Sequence, residues 1–196
     1  MYKIAITGKA NTGKNTLSKM LVKQLREKEK TESFTSVKYM AFADPIKEMI
    51  QIMFPDLPRK FLYGSSKYRN EFIPGTNKDG HPLTVRQLLI DLGTGVGRGY
   101  KENIWLDNFD NRFSKINSKI VVVTDVRFRN EFDHLKKKDF YQIRLYRETD
   151  KPGINHVSET NQNSISDTEY DYVIHNNGTL AELKKEVFNI VSRLKP

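Results

Sequence analysis

Short apolar runs alternate along the chain with longer stretches in which apolar residues return every three or four positions. The runs are KIAIT (3–7), VKYMAF (37–42), IVVVTD (120–125), YQIRLY (141–146) and YVIHN (172–176). Each is short and rich in β-branched or aromatic residues, so each predicts a buried strand. The stretches between them have helical spacing. Leu17, Met20, Leu21 and Leu25 share one face, as do Ile46, Met49, Ile50 and Met53. Asp44 is placed to cap the second of these helices, with Pro45 at its first position. Val85, Leu88, Leu89 and Leu92 follow a Thr84-x-x-Gln87 pattern that predicts a capping box. Leu180, Leu183, Val187, Val191 and Leu194 predict a final helix behind Thr179-x-x-Glu182. Ile104, Phe109 and Phe113 lie on an apolar stripe that also holds Trp105, the only tryptophan. Strands alternating with helices predict an α/β fold with a parallel sheet covered on both faces.

Two segments break the alternation. Residues 55–83 are rich in Pro, Gly and polar groups, and residues 147–169 hold almost no large apolar side chains. Loops of that length in a compact domain are functional or disordered as a rule. The expectation is one domain over residues 1–196, with an acceptor-binding insertion around 55–83 and a lid-like segment around 147–169. A chain of 196 residues can bury roughly 70% of its unfolded surface.

Composition narrows the possibilities. There is no cysteine, which excludes disulfides and thiolate metal sites and suits a reducing compartment. Four widely spread histidines offer no metal-ligand spacing. No run approaches the ~20 apolar residues of a membrane span. The chain opens directly on a strand, without a signal-peptide pattern, so a cytoplasmic location is expected. Thirty-three Lys and Arg against 24 Asp and Glu give a net charge of +9, which favours anionic partners. Nucleic acid is one such partner, but the basic stripe with interleaved aromatics that it calls for is not found. No stable nucleic-acid partner is therefore expected.

The chemistry starts at GKANTGKNT (8–16). Gly8, four residues, then Gly13-Lys14 is the outline of a phosphate-binding loop, lying between a strand and a helix as such loops do. Backbone N–H groups and the helix N-terminus would cradle phosphate oxygens, and Lys14 would add a charge at the β/γ-phosphates. A Ser or Thr that ligates Mg²⁺ usually follows the lysine; here Asn15 does, with Thr16 one place later. Asn15 can offer a carbonyl oxygen to Mg²⁺ through water, and Thr16 can reach a phosphate oxygen. Asp125 ends a predicted buried strand, where open α/β sheets bind ligands. It can hold Mg²⁺ through water or accept a hydrogen bond from substrate. Arg127 and Arg129 follow and can neutralise charge on a transferring phosphoryl group.

Five blocks together, GKANTGKNT, FADPIKEM, VRQLLIDLGT, VVVTDVRFRNEFD, and HVSET followed by YDYVIHNNGTLAEL, resemble the phage-type deoxynucleoside monophosphate kinases. These are relatives of dephospho-coenzyme A kinase and phosphomevalonate kinase among the P-loop kinases. The resemblance covers nearly the whole chain. It implies a three-layer fold with a five-stranded parallel sheet of order 2-3-1-4-5. It implies transfer of a phosphoryl group from ATP, with Mg²⁺, to a deoxynucleoside monophosphate for DNA precursor supply, in a host cytoplasm if the chain is phage-encoded. Carried over by position, Gly8, Asn11, Gly13, Lys14, Asn15 and Thr16 would hold the donor phosphates, with the Asn176-Asn177-Gly178 turn near the adenine. Lys9, Lys47, Arg69, Arg86, Gly93, Thr94 and Trp105 would line the acceptor site. Asp125 and Arg127 would sit between the two nucleotides, and Arg129 and Arg147 are lid candidates. His156, Ser158 and Glu159 match a recurrent block without an assigned role. The family often has Asp where Asn15 stands and Pro where Arg129 stands. Small-molecule nucleotides are the expected partners, no membrane is, and a homodimer stays open. Two alternatives also remain: a kinase of another phosphorylated small molecule, of phosphomevalonate or dephospho-coenzyme A type, and a basic P-loop protein that binds nucleic acid.

Overall fold

The computed structural model describes residues 1–30, 37–148 and 164–196. They fall into two compact units: Met1–Ala41 with Ser114–Pro196, and Phe42–Phe113.

The first unit holds the sheet. Its strands are β1 (Tyr2–Thr7), β2 (Val37–Met40), β3 (Ile120–Val126), β4 (Tyr141–Tyr146) and β5 (Tyr172–His175). They are parallel and ordered β2-β3-β1-β4-β5, which is the order implied by the resemblance. Successive side chains on a strand face opposite ways. One face of the sheet carries Ile4, Ile6, Ile120, Val122, Ile143 and Leu145, packed against α1 (Lys14–Glu29) and the C-terminal helix. α1 contributes Leu17, Leu21 and Leu25. On the opposite face Arg144 lies over the ring of Tyr170, which meets Phe132 of the helix Arg129–Lys137. Both faces are thus covered; β1, β3 and β4 are buried as predicted, whereas the edge strands β2 and β5 are only partly buried, Tyr39 and His175 being exposed.

The second unit is helical: α2 (Asp44–Met53), α3 (Lys60–Tyr63), a 3₁₀ turn (Ser66–Asn70), α4 (Val85–Ile90), a π-helical turn (Asp91–Gly97), α5 (Arg98–Tyr100) and α6 (Ile104–Phe113). Its core is Ile46, Ile50, Leu57, Leu62, Ile73, Val85, Leu88 and Trp105. Among the described residues the first unit also holds α7 (Arg129–Lys137), a 3₁₀ turn (Asp167–Glu169) and α8 (Leu180–Arg193).

Several local expectations need correction. Asp44 is not the cap of α2; Ala43 is, and Asp44 sits inside the first turn, where its carboxylate pairs with Lys47 at 3.0 Å. Only half of the box at α4 forms. Thr84 accepts from the Gln87 N–H, but the Gln87 amide donates to Asp91 at 2.7 Å instead of returning to the cap. The box at α8 is complete, with Glu182 accepting from the Thr179 N–H at 2.6 Å. Met49, Met53 and Leu180 stay exposed although they share the apolar stripes. The strand predicted to run to Phe42 stops at Met40, and Phe42 turns to pack on Phe109.

The polar segment 55–83 is ordered, and it lies in the second unit. Leu57, Leu62 and Ile73 anchor it in the core. The Gln51 amide supplies a donor to the carbonyls of Phe54, Pro55 and Leu57. Few apolar residues suffice when they are spaced to land in one core, and that spacing is neither helical nor alternating.

Candidate active site

The donor-side candidates belong to the first unit. β1 ends at the buried Thr7, and the chain turns through Gly8–Thr16 into α1. Gly8 has no room for a side chain: a Cβ there would lie 2.5 Å from the Leu145 carbonyl oxygen. Gly13 has φ of 102°, a region that L residues rarely adopt, and it directly precedes α1. Asn11 is also left-handed at φ 64°, a conformation Asn tolerates better than most residues.

The loop's carbonyls are drawn to donors inside the protein. Lys14 Nζ donates to the Gly8 and Lys9 carbonyls, both at 2.6 Å. Thr12 Oγ1 also donates to the Lys9 carbonyl, and Asn176 Nδ2 donates to the Thr12 carbonyl at 2.8 Å. The Gly13 carbonyl accepts from the Leu17 N–H as α1 begins. Asn15 and Thr16 are exposed on the first helical turn, which holds no acidic residue. A helix N-terminus without a carboxylate keeps its positive end for an anion.

The sheet brings Asp125 and Arg127 beside this loop. Val126 pairs with Thr7, so the residues flanking it lie at the same strand ends as Gly8. Asp125 is half-buried and Arg127 exposed. Sequence reasoning missed the residue that shapes this turn. Glu131, on α7 and almost fully buried, accepts from the N–H groups of Arg127 at 2.8 Å and Phe128 at 3.1 Å. Its signal was an Arg-Phe-x-x-Glu spacing, which reads equally as an exposed helix start.

Arg129 is engaged elsewhere. It makes ion pairs with Asp133 at 2.9 Å and Glu169 at 2.8 Å. Hydrogen bonds to Asp133 and Glu169 raise its pKa further. Those pairs must open before its guanidinium can reach a phosphate. Arg147 is exposed and follows β4 directly. The next N–H, of Glu148, donates to Asn177 Oδ1 at 2.9 Å. His156, Ser158 and Glu159, and with them most of the 147–169 segment, lie outside the described residues. Arg144, unnoticed in the sequence, is buried and donates to the Ile165 carbonyl at 2.5 Å.

The acceptor-side candidates belong to the second unit. Arg86 Nε donates to Asn70 Oδ1 at 2.8 Å, which ties α4 to the turn that carries Arg69. Lys47 pairs with Asp44 and lies 5.1 Å from the Tyr63 ring centre. Arg59 lies against the same ring at 4.8 Å, so Tyr63 joins two cations at a surface position that the sequence did not single out. Burial raises the Tyr63 pKa, helped by Glu48 and Asp44. Gly93 and Thr94 lie in the π-helical turn, a feature frequent at functional sites. Trp105 is buried at 6% exposure, and its Nε1 donates to the Gly93 carbonyl at 2.8 Å.

A family model for deoxynucleotide monophosphate kinase matches residues 63–187. The chain belongs to this family. A protein of Acanthamoeba polyphaga mimivirus, named as a candidate deoxynucleotide monophosphate kinase, is 30% identical over 207 residues, 97% of this chain and 96% of its own. Among solved structures, dephospho-CoA kinase from Campylobacter jejuni covers 96% of this chain and 95% of its own, at 15% identity and a TM-score of 0.41. A likeness that slight decides nothing about substrate. Family membership makes the protein a phosphotransferase, a deoxynucleotide monophosphate kinase.

The described residues of the kinase hold no group of three or more His, Cys, Asp or Glu able to bind a metal by themselves. The Asp125 carboxylate and the Asn15 amide, at the Gly8–Thr16 loop, are a donor set that fits Mg²⁺, an ion that keeps several waters and takes other oxygens from phosphates. No helix among the described residues of the kinase is long and apolar enough to cross a membrane.

Proposed function

We propose that this kinase transfers the γ-phosphoryl group of ATP to a deoxynucleoside monophosphate, the first unit holding the donor and the second the acceptor. The observation that supports this best is the loop Gly8–Thr16, whose carbonyls find donors within the protein while the first turn of its helix carries no acid. A loop built that way suits an anion. Lys14 exchanges its two carbonyl partners for phosphate oxygens when ATP binds. Thr16 donates its hydroxyl to a phosphate from the first turn of α1. An oxygen of the acceptor's phosphate attacks the γ-phosphorus, the bond to the bridging oxygen breaks, and ADP leaves with that electron pair. Arg127 offsets the charge on the transferring group, and Asp125 orients the acceptor. Asp125 and Asn15 would hold Mg²⁺ through water, and the ion would neutralise phosphate charge there.

On the acceptor side Arg69 and Arg86 supply guanidinium forks that suit a phosphate, and Lys47 adds a third charge. Lys9, exposed on the donor loop, supplies a further charge for the acceptor. Thr94 contacts the nucleotide from the π-helical turn, and Trp105 acts through the Gly93 carbonyl rather than by stacking. Asn177 and Gly178 border the adenine. Nucleotides are then the partners, and the cytoplasm the place of work, that of a host if the chain is phage-encoded.

The test is a coupled assay with ATP and Mg²⁺ against each deoxy- and ribonucleoside monophosphate. Turnover is expected with one or more deoxynucleotides, and Lys14→Ala should lower it by roughly 10²-fold or more while remaining folded. Phosphorylation of no nucleoside monophosphate, or near-normal turnover in folded Lys14→Ala, would refute the assignment.

A further inference from the structure

The turn that follows β5 is tied to the phosphate loop by one side chain. Asn176 Nδ2 donates to the Thr12 carbonyl at 2.8 Å, and its backbone N–H donates to the Tyr146 carbonyl at 2.8 Å. A trans peptide is planar, with its C=O and N–H pointing opposite ways. Holding the Thr12 carbonyl against Asn176 therefore fixes the direction of the Gly13 N–H. The packing is close: a Cβ on Gly13 would lie 2.7 Å from Asn176 Nδ2. The turn itself is anchored on both sides. Asn177 Oδ1 accepts from the Glu148 N–H, and Gly178 sits where any side chain would overlap the Glu182 carboxylate of the α8 capping box.

We infer that Asn176 is a positioning residue for the phosphate loop: its amide sets the Thr12–Gly13 peptide so that the Gly13 N–H faces the donor phosphates. This rests on the reading of Gly8–Thr16 as the ATP site. Asn176 touches neither reacting atom; it acts through one carbonyl of the loop. A rigid anchor is what such a role needs, because donors must be held within about half an ångström of their working geometry. Asp at this position would set a carboxylate against a carbonyl and lose the only donor.

The experiment compares full-length Asn176→Ala, Asn176→Asp and Lys14→Ala with the unsubstituted protein. It measures the KM for ATP, the KM for the accepted monophosphate, ATP affinity by titration calorimetry with Mg²⁺, and thermal melting. Asn176→Ala should weaken ATP roughly tenfold, the order expected for one lost hydrogen bond, and Asn176→Asp should weaken it more. The KM for the monophosphate should stay within about twofold, and melting should stay near that of the parent. Should Asn176→Ala not fold, Asn176→Asp keeps the shape and carries the same comparison. ATP binding unchanged in both Asn176 variants, with Lys14→Ala impaired, overturns the role of Asn176 and leaves the donor site standing. Parallel loss of both KM values with a lowered melting point also overturns it, since that is structural damage. Normal ATP binding by Lys14→Ala removes the donor site, and the inference with it.

Discussion

Gly93, Gly95, Gly97 and Gly99 alternate along one stretch, and the structure assigns them opposite sensitivities to a methyl group. A Cβ on Gly97 would overlap Cζ2 of Trp105, a ring held by its own hydrogen bond to Gly93. The indole must move, and its buried N–H then loses its acceptor. Overpacking of this kind costs about 1–3 kcal/mol, and a broken hydrogen bond about 1 kcal/mol more. A total of about 2–4 kcal/mol lowers the melting temperature of a chain this size by roughly 4–16 °C. A Cβ on Gly93 would lie 2.9 Å from Ile46 Cδ1, the far end of a side chain that can give, so Gly93→Ala should cost about 1 kcal/mol or less. Gly95 and Gly99 have nothing within 4 Å of such a Cβ and no positive φ. Ala at either should stabilise by about 0.4–1 kcal/mol through the unfolded chain. Thermal unfolding by circular dichroism ranks the four variants. The single tryptophan reports at the same time: its emission should shift to the red in Gly97→Ala alone. Gly97→Ala as stable as Gly95→Ala, with unchanged emission, would refute the packing assigned to Trp105.

Arg86→Ala removes the bond to Asn70 as well as a candidate phosphate fork, so it should raise the KM for the monophosphate about tenfold or more while leaving that for ATP nearly unchanged; an effect confined to ATP would count against the acceptor assignment. Asn15→Asp should lower the Mg²⁺ concentration needed for half-maximal rate, since a carboxylate binds a hard cation better than an amide. Thr16→Val should lower turnover even at saturating Mg²⁺, and full rescue by Mg²⁺ would reverse these roles. Tyr2 donates to Glu29 at 2.6 Å, and burial together with that carboxylate pushes its pKa up to about 12. The folded state holds this proton more tightly than the unfolded state, so the contribution is whole below the ordinary tyrosine value near 10 and lost as pH rises toward 12. Tyr2→Phe should therefore be less stable at pH 7, yet lose less stability between pH 10 and 12 in urea titrations; parallel pH curves would contradict this.

What could be read from the sequence follows from where the physics is local. The inner strands β1, β3 and β4 carry their burial in consecutive residues, so their existence was plain from the pattern; the edge strands β2 and β5 are short and only partly buried. Gly8 and Gly13 were legible as glycines of a tight loop between a strand and a helix: the Leu145 carbonyl leaves no room for a side chain at the first, and the second has φ of 102°. Residues 55–83 were read as a polar loop because Leu57, Leu62 and Ile73 meet only in three dimensions. Glu131 and Asn176 were missed as positioning groups for the same reason: each acts on backbone groups whose direction no spacing rule reveals. The capping signal at Thr84 was half right, since Gln87 had a stronger attraction to Asp91 one turn on.

The order of the sheet also has a consequence for how the chain is made. β1 is made before the other strands of the sheet, yet it is the central strand, and its two neighbours come late: Tyr2 pairs with Ile120, and Ile4 with Tyr141. At about 5–20 residues per second of translation, β1 waits on the order of ten seconds before its first partner exists. Through that interval an apolar strand with two open edges is in solution, in a topology dominated by distant pairings that close slowly. Newly made protein should accordingly depend on holdase chaperones more than its finished stability would suggest, and yield on expression should rise when translation is slow and cool.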